Sequence, residues 1–129
     1  MGPELREIVA EAERRLVARE ILLQDLLLKR QLSRSAQEYK SNTMTATAAR
    51  QAARIGQNLV GGQDVYFIVV DSKSANPDER IRLIDYLQPE TDFDLEFYME
   101  QLRRATATIL DPLLGKPKET ARVVQGTLF

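Results

Sequence analysis

No cysteine and no histidine occur in this chain of 129 residues. The absence of cysteine excludes disulfide bonds, thiolate metal sites and cysteine nucleophiles. The absence of histidine removes the general base and the metal ligand that proteins use most often. These two absences close the commonest routes to catalysis before any motif is considered.

Long apolar runs are also missing from the sequence. None approaches the 18 residues of a membrane-spanning helix, and no signal-peptide pattern opens the chain. We therefore expect a protein that has no membrane partner and stays in the cytoplasm. The apolar content of 43% is ordinary for a globular protein, and the length allows one modest domain rather than two.

The net charge of -1 conceals an uneven distribution of charged residues. Residues 29–54, called the basic segment below, carry six cations against one carboxylate. Residues 57–115, called the acidic segment, carry five cations against eleven carboxylates. Such asymmetry suggests one face for a polyanion and another that is kept away from it. Two differently charged faces that only meet solvent would explain it equally well.

The spacing of apolar residues predicts two helices in the first half of the chain. The first begins at Pro3, whose missing N–H costs nothing in a first turn, and runs to about Arg19. The second is capped by Asn42 or Thr43 and ends at Gly56. The residues predicted on its buried side are Ala46, Ala49, Ala53 and Ile55.

A small sheet and a third helix complete the predicted fold. The run "DVYFIVVD" is the clearest strand, and its apolar residues on both faces indicate that both are covered. Residues 26–33 and Ile81–Leu87 are weaker extended segments. The last helix follows Asp94, with an apolar stripe of Leu95, Tyr98, Met99, Leu102, Ala105 and Ile109. The sequence therefore predicts a small α+β fold with a long C-terminal helix and a flexible tail.

Candidate catalytic carboxylates are few. Asp71 follows the clearest strand, but it has no acidic partner nearby, and a hydrated turn residue explains it better. Asp92 and Asp94 are two apart and could hold a divalent cation, although helix capping already accounts for Asp94. No Gly-rich phosphate loop, nucleophile elbow or paired-carboxylate motif stands out. We therefore expect that the chain is not an enzyme on its own.

The stretch "KRQLSRSAQEYK" combines cations with hydroxyl groups, an amide and an aromatic ring. These are the groups that grip phosphates without reading base sequence. Because only 6% of the chain is aromatic, stacking on unpaired bases is poorly supported. The pattern favours contact with the backbone of a duplex, and a solvated loop followed by a surface helix is the alternative.

Five stretches, taken in order, resemble the thumb domain of family B DNA polymerases. They are "EIVAEAERRL", "LLLKRQLSRSAQEYKS", "ATAARQAARIG", "GGQDVYFIVVDSK" and "DFDLEFYMEQLRRATATIL", which together span roughly residues 5–114. Each stretch is weak alone, but five in register at near-family spacing are specific. Two departures are that family members often carry a Pro-His-Val-like sequence where Thr43-Met44-Thr45 stands here, and that no palm with metal-binding aspartates is present.

The resemblance implies that residues 1–115 form a thumb-like domain that grips a primer–template duplex, followed by a flexible tail of residues 116–129. It implies a palm-bearing chain or segment as a partner, with magnesium at that palm and no cofactor in this chain. It also implies a place at the nucleoid. A protein-interaction subunit that docks a palm or a clamp without touching DNA is the alternative. The residues expected to contact DNA are Lys29, Arg30, Arg34, Tyr39, Lys40, Thr47, Arg50 and Arg54.

The final residues, "QGTLF", end the chain on two apolar side chains. Several family B polymerases finish with a short peptide that docks in a hydrophobic pocket of the sliding clamp. By that resemblance, Gln125 anchors the peptide through hydrogen bonds, and Leu128 and Phe129 fill the pocket. The alternative is that the two apolar side chains pack back on their own domain.

Overall fold

The computed structural model describes residues 3–110, with side chains as far as residue 107. Within that range the chain forms three α-helices and one three-stranded antiparallel sheet, so the predicted α+β class is confirmed. The described residues fall into two compact units, residues 3–26 with 95–110, and residues 27–94. The elements are α1 (Pro3–Ala18), β1 (Leu28–Gln31), α2 (Met44–Arg54), β2 (Asp64–Val69), β3 (Ile81–Leu83) and α3 (Leu95–Leu110).

The first unit packs α1 against α3. Tyr98 is buried on α3, and its hydroxyl donates a hydrogen bond of 2.8 Å to the carbonyl of Leu26. The side chain of Ile109, which belongs to the predicted apolar stripe of this helix, lies outside the described residues. The buried side chains of α1 and α3 recur at helical spacing and are Ala12, Leu16, Tyr98, Leu102 and Ala105, and Leu26 is buried in a short 3-10 helix of residues 23–26.

The end of α1 lies one residue before the predicted one. Arg19 adopts a left-handed backbone with φ of 57°, which stops the helix. The N–H of Arg19 then bonds the carbonyl of Leu16 at 3.2 Å, and the N–H of Glu20 bonds that of Arg15 at 2.9 Å. These two bonds satisfy carbonyls of the last turn that the helix leaves without partners.

The second unit is built on β2, which lies between β1 and β3. Phe67 is paired with Leu28 on one side and with Leu83 on the other. Phe67 and Ile68 face opposite sides of the sheet, because successive strand residues alternate, and they are 1% and 0% exposed. The predicted coverage of both faces of this strand is confirmed there. On the face of Phe67 it extends to Val65, which is 2% exposed. On the face of Ile68 it ends before Tyr66, which is 40% exposed.

The strand β3 is shorter than the predicted one, which extended to Leu87. It ends at Leu83, and residues 84–86 form a short 3-10 helix, after which the N–H of Leu87 bonds the carbonyl of Ile84 at 3.2 Å. The alternation of buried and exposed side chains stops one residue later, since Ile84 and Asp85 are both exposed. The strand prediction is wrong for residues 84–87, where the apolar residues are three apart.

The helix α2 begins and ends near the predicted residues. The Thr43 hydroxyl accepts a hydrogen bond of 3.2 Å from the N–H of Ala46, as expected of a cap. The predicted buried side is wrong at its C-terminal end, because Ile55 is 40% exposed and Ala53 is half-buried. The buried alanines, whose small side chains allow contact with β2 and β3, are Ala46, Ala48, Ala49 and Ala52.

A polar residue, Gln51, lies among these buried alanines and is 6% exposed. Its side-chain oxygen accepts a hydrogen bond of 3.0 Å from the N–H of Leu83. Its amide nitrogen donates to the carbonyls of Asp78, at 3.2 Å, and of Ile81, at 3.4 Å. The glutamine therefore satisfies main-chain groups on the outer edge of β3, where the described residues form no further strand. The buried side of α2 accordingly includes Gln51 in addition to the alanines.

Candidate nucleic-acid interface

The basic segment begins on β1, crosses a loop of residues 32–43 and ends on α2. The structure distributes the residues expected to contact DNA over these three elements. They are Lys29 and Arg30 on β1, Arg34, Tyr39 and Lys40 in the loop, and Thr47, Arg50 and Arg54 on α2.

The loop is held by contacts at both of its sides. Leu32 is 2% exposed, and its N–H donates to the carbonyl of Gln63 at 2.8 Å while its carbonyl accepts from Gly62 at 2.7 Å. The Glu38 carboxylate accepts hydrogen bonds from the Ser35 hydroxyl at 2.7 Å and from the Ser35 N–H at 3.3 Å. These bonds favour the ionised carboxylate and hold the pKa of Glu38 below its ordinary value. The loop therefore presents its cations from a defined backbone.

The ring of Tyr39 packs against the guanidinium of Arg34. The Tyr39 hydroxyl lies 3.4 Å from the Ser33 hydroxyl and accepts a hydrogen bond of 3.0 Å from the N–H of Ser33. The side-chain contact with Ser33, followed by the bond from its N–H, lowers the pKa of the phenol. The Arg34 guanidinium carbon lies 5.7 Å from the centre of the ring, within the range of a cation–π contact. Because Tyr39 is half-buried with its hydroxyl already bonded, it orients Arg34 more readily than it contacts a ligand.

Arg50 links α2 to the end of the loop. Its guanidinium donates to the Asn42 side-chain oxygen at 3.1 Å, to the Tyr39 carbonyl at 3.2 Å and to the Ser41 carbonyl. All three acceptors are uncharged, so its positive charge is not neutralised by them. Arg50 therefore holds the loop backbone and also contributes to the local positive potential.

Thr47 lies on the inner side of α2 and not beside the two arginines of that helix. It is 2% exposed, and its hydroxyl donates a hydrogen bond of 2.9 Å to the carbonyl of Thr43. A side chain that is buried and bonded in this way does not reach a phosphate at the surface. Thr47 is among the residues expected to contact DNA, and its burial does not fit that role.

Two of the expected DNA-binding cations are paired with carboxylates of the acidic segment. Arg54 forms a bidentate pair with Asp78, in which Nη1–Oδ1 is 3.1 Å and Nη2–Oδ2 is 2.9 Å. The pair raises the pKa of Arg54 and lowers the pKa of Asp78. Lys29 Nζ lies 3.5 Å from a carboxylate oxygen of Asp64. The basic and acidic segments are therefore in contact at these two points, and their charges are not fully separated as the composition suggested.

Besides the half-buried Arg50, three exposed cations of the basic segment form no ion pair among residues 3–107. Arg30 is exposed on β1, where its guanidinium bonds only the carbonyl of Lys29, at 3.1 Å. Arg34 and Lys40 are exposed in the loop. All three lie between residues 30 and 40, so the strand end and the loop carry accessible charge that is not held in an ion pair. Of the three, Arg34 interacts electrostatically with Glu38 of the same loop.

The acidic partners and the buried amide were missed by reasoning from the sequence. Arg54 and Asp78 are 24 residues apart, and the contact of Lys29 with Asp64 depends on the register of β1 against β2. Neither follows from a local motif. A signal for Gln51 did exist, since it is the one amide between alanines predicted to be buried.

The other expected sites lie outside the range or form no cluster within it. Gln125, Leu128 and Phe129 fall outside the described residues, so their expected role at a clamp stays a prediction. Within residues 3–110, no group of three carboxylates converges in a way that could hold a metal ion. No helix in the same range has the length and apolar character that crossing a membrane requires.

Comparison with known proteins gives a family and a fold. The family model described as "DNA polymerase family B" matches residues 3–113. Among solved structures, the family B DNA polymerase from the hyperthermophilic archaeon Pyrobaculum calidifontis matches with a TM-score of 0.65 and 24% sequence identity. The match covers 85% of this chain and 14% of that polymerase, and at this identity it shows the fold alone. No curated protein sequence matches the chain.

Proposed function

Since the chain belongs to DNA polymerase family B, we propose that it is the thumb part of such a polymerase and grips the backbone of a primer–template duplex. The observation that carries this proposal is the presence of three accessible cations, Arg30, Arg34 and Lys40, that form no ion pair among the described residues. Phosphate contacts need such unneutralised charge, because affinity arises from the release of counterions that the phosphates had condensed. Contacts of this kind do not depend on base sequence.

The expected residues take different parts in the proposed interface. Arg30, Arg34 and Lys40 meet phosphates, while Tyr39 and Arg50 hold the loop that presents two of them. Thr47 is left out, because it is buried. Lys29 and Arg54 are partly neutralised by their carboxylate partners, so they add less to binding than their charges suggest.

The direct test is the salt dependence of binding to a duplex of random sequence. With about three phosphate contacts, log K should fall against log salt with a slope of roughly -3. The variant R30A/R34A/K40A should lose most of that slope and weaken binding to all duplexes about equally. A matched control is R103A/R104A, which removes two exposed arginines that pair with Glu100 on α3. If the wild-type chain fails to bind even at low salt, the thumb role is contradicted, and a subunit that only docks protein partners is favoured.

The catalytic part of this proposal lies outside the chain. We assign nucleotidyl transfer and its magnesium ions to a palm-bearing chain or segment, because phosphoryl transfer needs carboxylates that hold two metal ions. The chain spans 14% of the archaeal polymerase that it matches, which leaves room for such a palm in a whole enzyme. Nucleotide incorporation by the pure chain with magnesium would contradict this division of labour.

We also propose that the terminal peptide tethers the polymerase to a sliding clamp, through Gln125, Leu128 and Phe129. Two apolar anchors of this size contribute roughly 2 kcal/mol each when buried, and ordering the peptide removes part of that. The expected affinity is therefore about micromolar. Deleting residues 125–129 should abolish clamp binding and leave the melting temperature unchanged, whereas a fall of several degrees would show that the peptide packs on its own domain.

A further inference from the structure

A hollow of about 250 Å³ lies beside the C-terminal end of α2 and the edge of β3. Two arginines, two carboxylates, an amide and a phenol line it, so its formal charges balance. The lining residues are Gln51, Arg54, Asp78, Glu79, Arg82 and Tyr86.

The four charged residues of the hollow differ in whether they form ion pairs or hydrogen bonds. Arg54 is held at both terminal nitrogens by Asp78, at 3.1 Å and 2.9 Å. Glu79 accepts a hydrogen bond of 3.2 Å from the hydroxyl of Ser74. Arg82 is exposed on β3 and makes no ion pair with the described residues. The hollow therefore contains one arginine that is already neutralised and one that is not.

The Asp78 carboxylate occupies the position on Arg54 that a phosphate would take. Carboxylate and phosphate both present two oxygens to the two parallel N–H groups of a guanidinium, and both form bidentate pairs with it. The pair is accessible to solvent, since the side chains of Arg54 and Asp78 are 55% and 41% exposed. Exchange of one anion for another therefore requires no opening of a core.

We propose that Arg54 and Arg82, with the hydroxyl of Tyr86, form a second phosphate site for the DNA backbone, and that the carboxylate of Asp78 masks it. This inference rests on the proposed grip on duplex DNA and names a set of contacts outside the loop of residues 32–43. In the masked state Arg54 contributes little to counterion release, because its charge is partly balanced by Asp78. Removal of the Asp78 charge unmasks the site.

The first experiment uses inorganic phosphate as the probe and does not depend on duplex binding. Phosphate is titrated into the wild-type chain and into D78N while the side-chain N–H signals of Arg54 and Arg82 are followed by NMR. Asn keeps the main-chain bonds that residue 78 makes with Gln51 and Asn76. D78N should bind phosphate roughly ten-fold more tightly than wild type, since a repelling charge a few ångströms away is removed. Equal affinity in the two proteins would overturn the proposal.

The second experiment measures the salt slope of duplex binding. D78N should steepen it by roughly 0.9 and tighten binding several-fold at low salt, because one more phosphate is neutralised. R54A/D78N, which removes both charges of the pair, should return to the wild-type slope, and R82A/D78N should lose part of the gain. D85N is the matched control, because Asp85 carries the same charge nearby but bonds only the Gln57 amide, at 2.9 Å.

The outcomes separate the two proposals. If the wild-type chain does not bind duplex DNA but D78N gains phosphate binding at Arg54 and Arg82, the proposed contact with duplex DNA is contradicted and the proposed phosphate site is supported. If the wild-type chain binds and D78N matches D85N in both experiments, the grip stands and the masked site fails. Weaker duplex binding by D78N than by wild type would show that Asp78 positions Arg54 for contact, which also overturns the masking. Melting temperatures of all variants confirm that each is folded.

Discussion

Single side chains decide which main-chain groups of the sheet have partners, and Gln51 does so for β3. Its amide reaches the N–H of Leu83 and two carbonyls from a site that is only 6% exposed. The bonds to Leu83 and Ile81 are buried, so water does not replace them without entering a packed region, whereas the bond to Asp78 lies toward the hollow. Among the described residues no buried side-chain polar atom lacks a partner, so Gln51 belongs to a fully satisfied set.

Replacing Gln51 by Ala should therefore destabilise the protein strongly. The N–H of Leu83 would stay buried without a partner, and we expect the free energy of unfolding to fall by about 2–4 kcal/mol. Urea denaturation followed by circular dichroism measures the change. The control is Gln57→Ala, which removes an amide that reaches only the exposed Asp85, and which should cost about 0.5 kcal/mol or less. Equal losses in the two variants would contradict the role assigned to Gln51.

At the scale of single residues, the sequence predicts well which side chains are exposed cations, but it predicts poorly which side chains form ion pairs or hydrogen bonds with them. It identifies Arg34 and Lys40 as cations in a loop, which is where the structure places them. It cannot show that Arg54 is neutralised by Asp78, because that pair joins elements that only the fold brings together. It also places Thr47 on the wrong side of α2. A polar residue on an amphipathic helix is predicted to be exposed, and the sequence does not show that the Thr47 hydroxyl bonds the carbonyl of Thr43.

Elements were predicted best where local signals fix their ends. Thr43 caps α2 through its own hydroxyl, and Gly56 follows the helix with φ of 84°, which glycine adopts without strain. The predicted end of β3 failed because the chain turns where residues 84–86 form a 3-10 helix, and apolar residues continue past that point. The boundary of a short edge strand is set by its neighbours, which a single sequence does not contain.

The junction between the loop and α2 gives a prediction about Arg50. Arg50→Lys keeps the positive charge but cannot reach three acceptors in one plane, as the guanidinium does with Asn42, Tyr39 and Ser41. We expect duplex affinity to fall by about three-fold because the loop is less ordered, while the salt slope stays within roughly 0.3 of wild type. Fluorescence anisotropy over a series of salt concentrations measures both quantities.

The control for this prediction is Lys40→Ala, which removes a charge from the same loop and should flatten the slope by roughly 0.9. If Arg50→Lys flattens the slope as much as Lys40→Ala does, then Arg50 contacts phosphate directly and its hydrogen bonds to the loop are secondary.

The stability of the whole molecule should depend on pH mainly in the acidic range. With no histidine, the chain has no side chain whose unperturbed pKa lies between pH 5 and 8. Hydrogen bonds from Arg14 lower the pKa of Glu11 to about 2. The pKa values of three other carboxyls are also lowered, by Ser35 at Glu38, by Arg54 at Asp78 and by Arg104 at Glu100.

The direction of the effect follows from these lowered values. A carboxyl whose pKa is lower in the folded state binds a proton more readily when unfolded, so its contribution is complete above the unfolded pKa and is lost as pH falls. The melting temperature should therefore be nearly constant from pH 8 to 5 and fall between about pH 4.5 and 2. Glu11→Gln should make that fall shallower, whereas Glu13→Gln, at a residue without an ion pair among the described residues, should leave it unchanged. A melting temperature that rises on acidification would contradict this assignment.

The two outer strands of the sheet meet the surroundings in different ways, and this bears on self-association. An uncovered strand offers its amides to any other strand, including one from a second copy of the same chain. On β3 the side chain of Gln51 already bonds the outer main-chain groups. On β1 the described side chains that oppose pairing with another strand are Arg30 and Lys29, of which Lys29 is paired with Asp64. DNA bound to these cations would also cover the outer edge of β1. Concentrated salt screens the cations and releases the DNA, so the edge becomes accessible to a second copy of the chain. We therefore expect the chain to remain monodisperse while it is bound to DNA, and to self-associate by pairing of β1 strands after concentrated salt has released it from DNA.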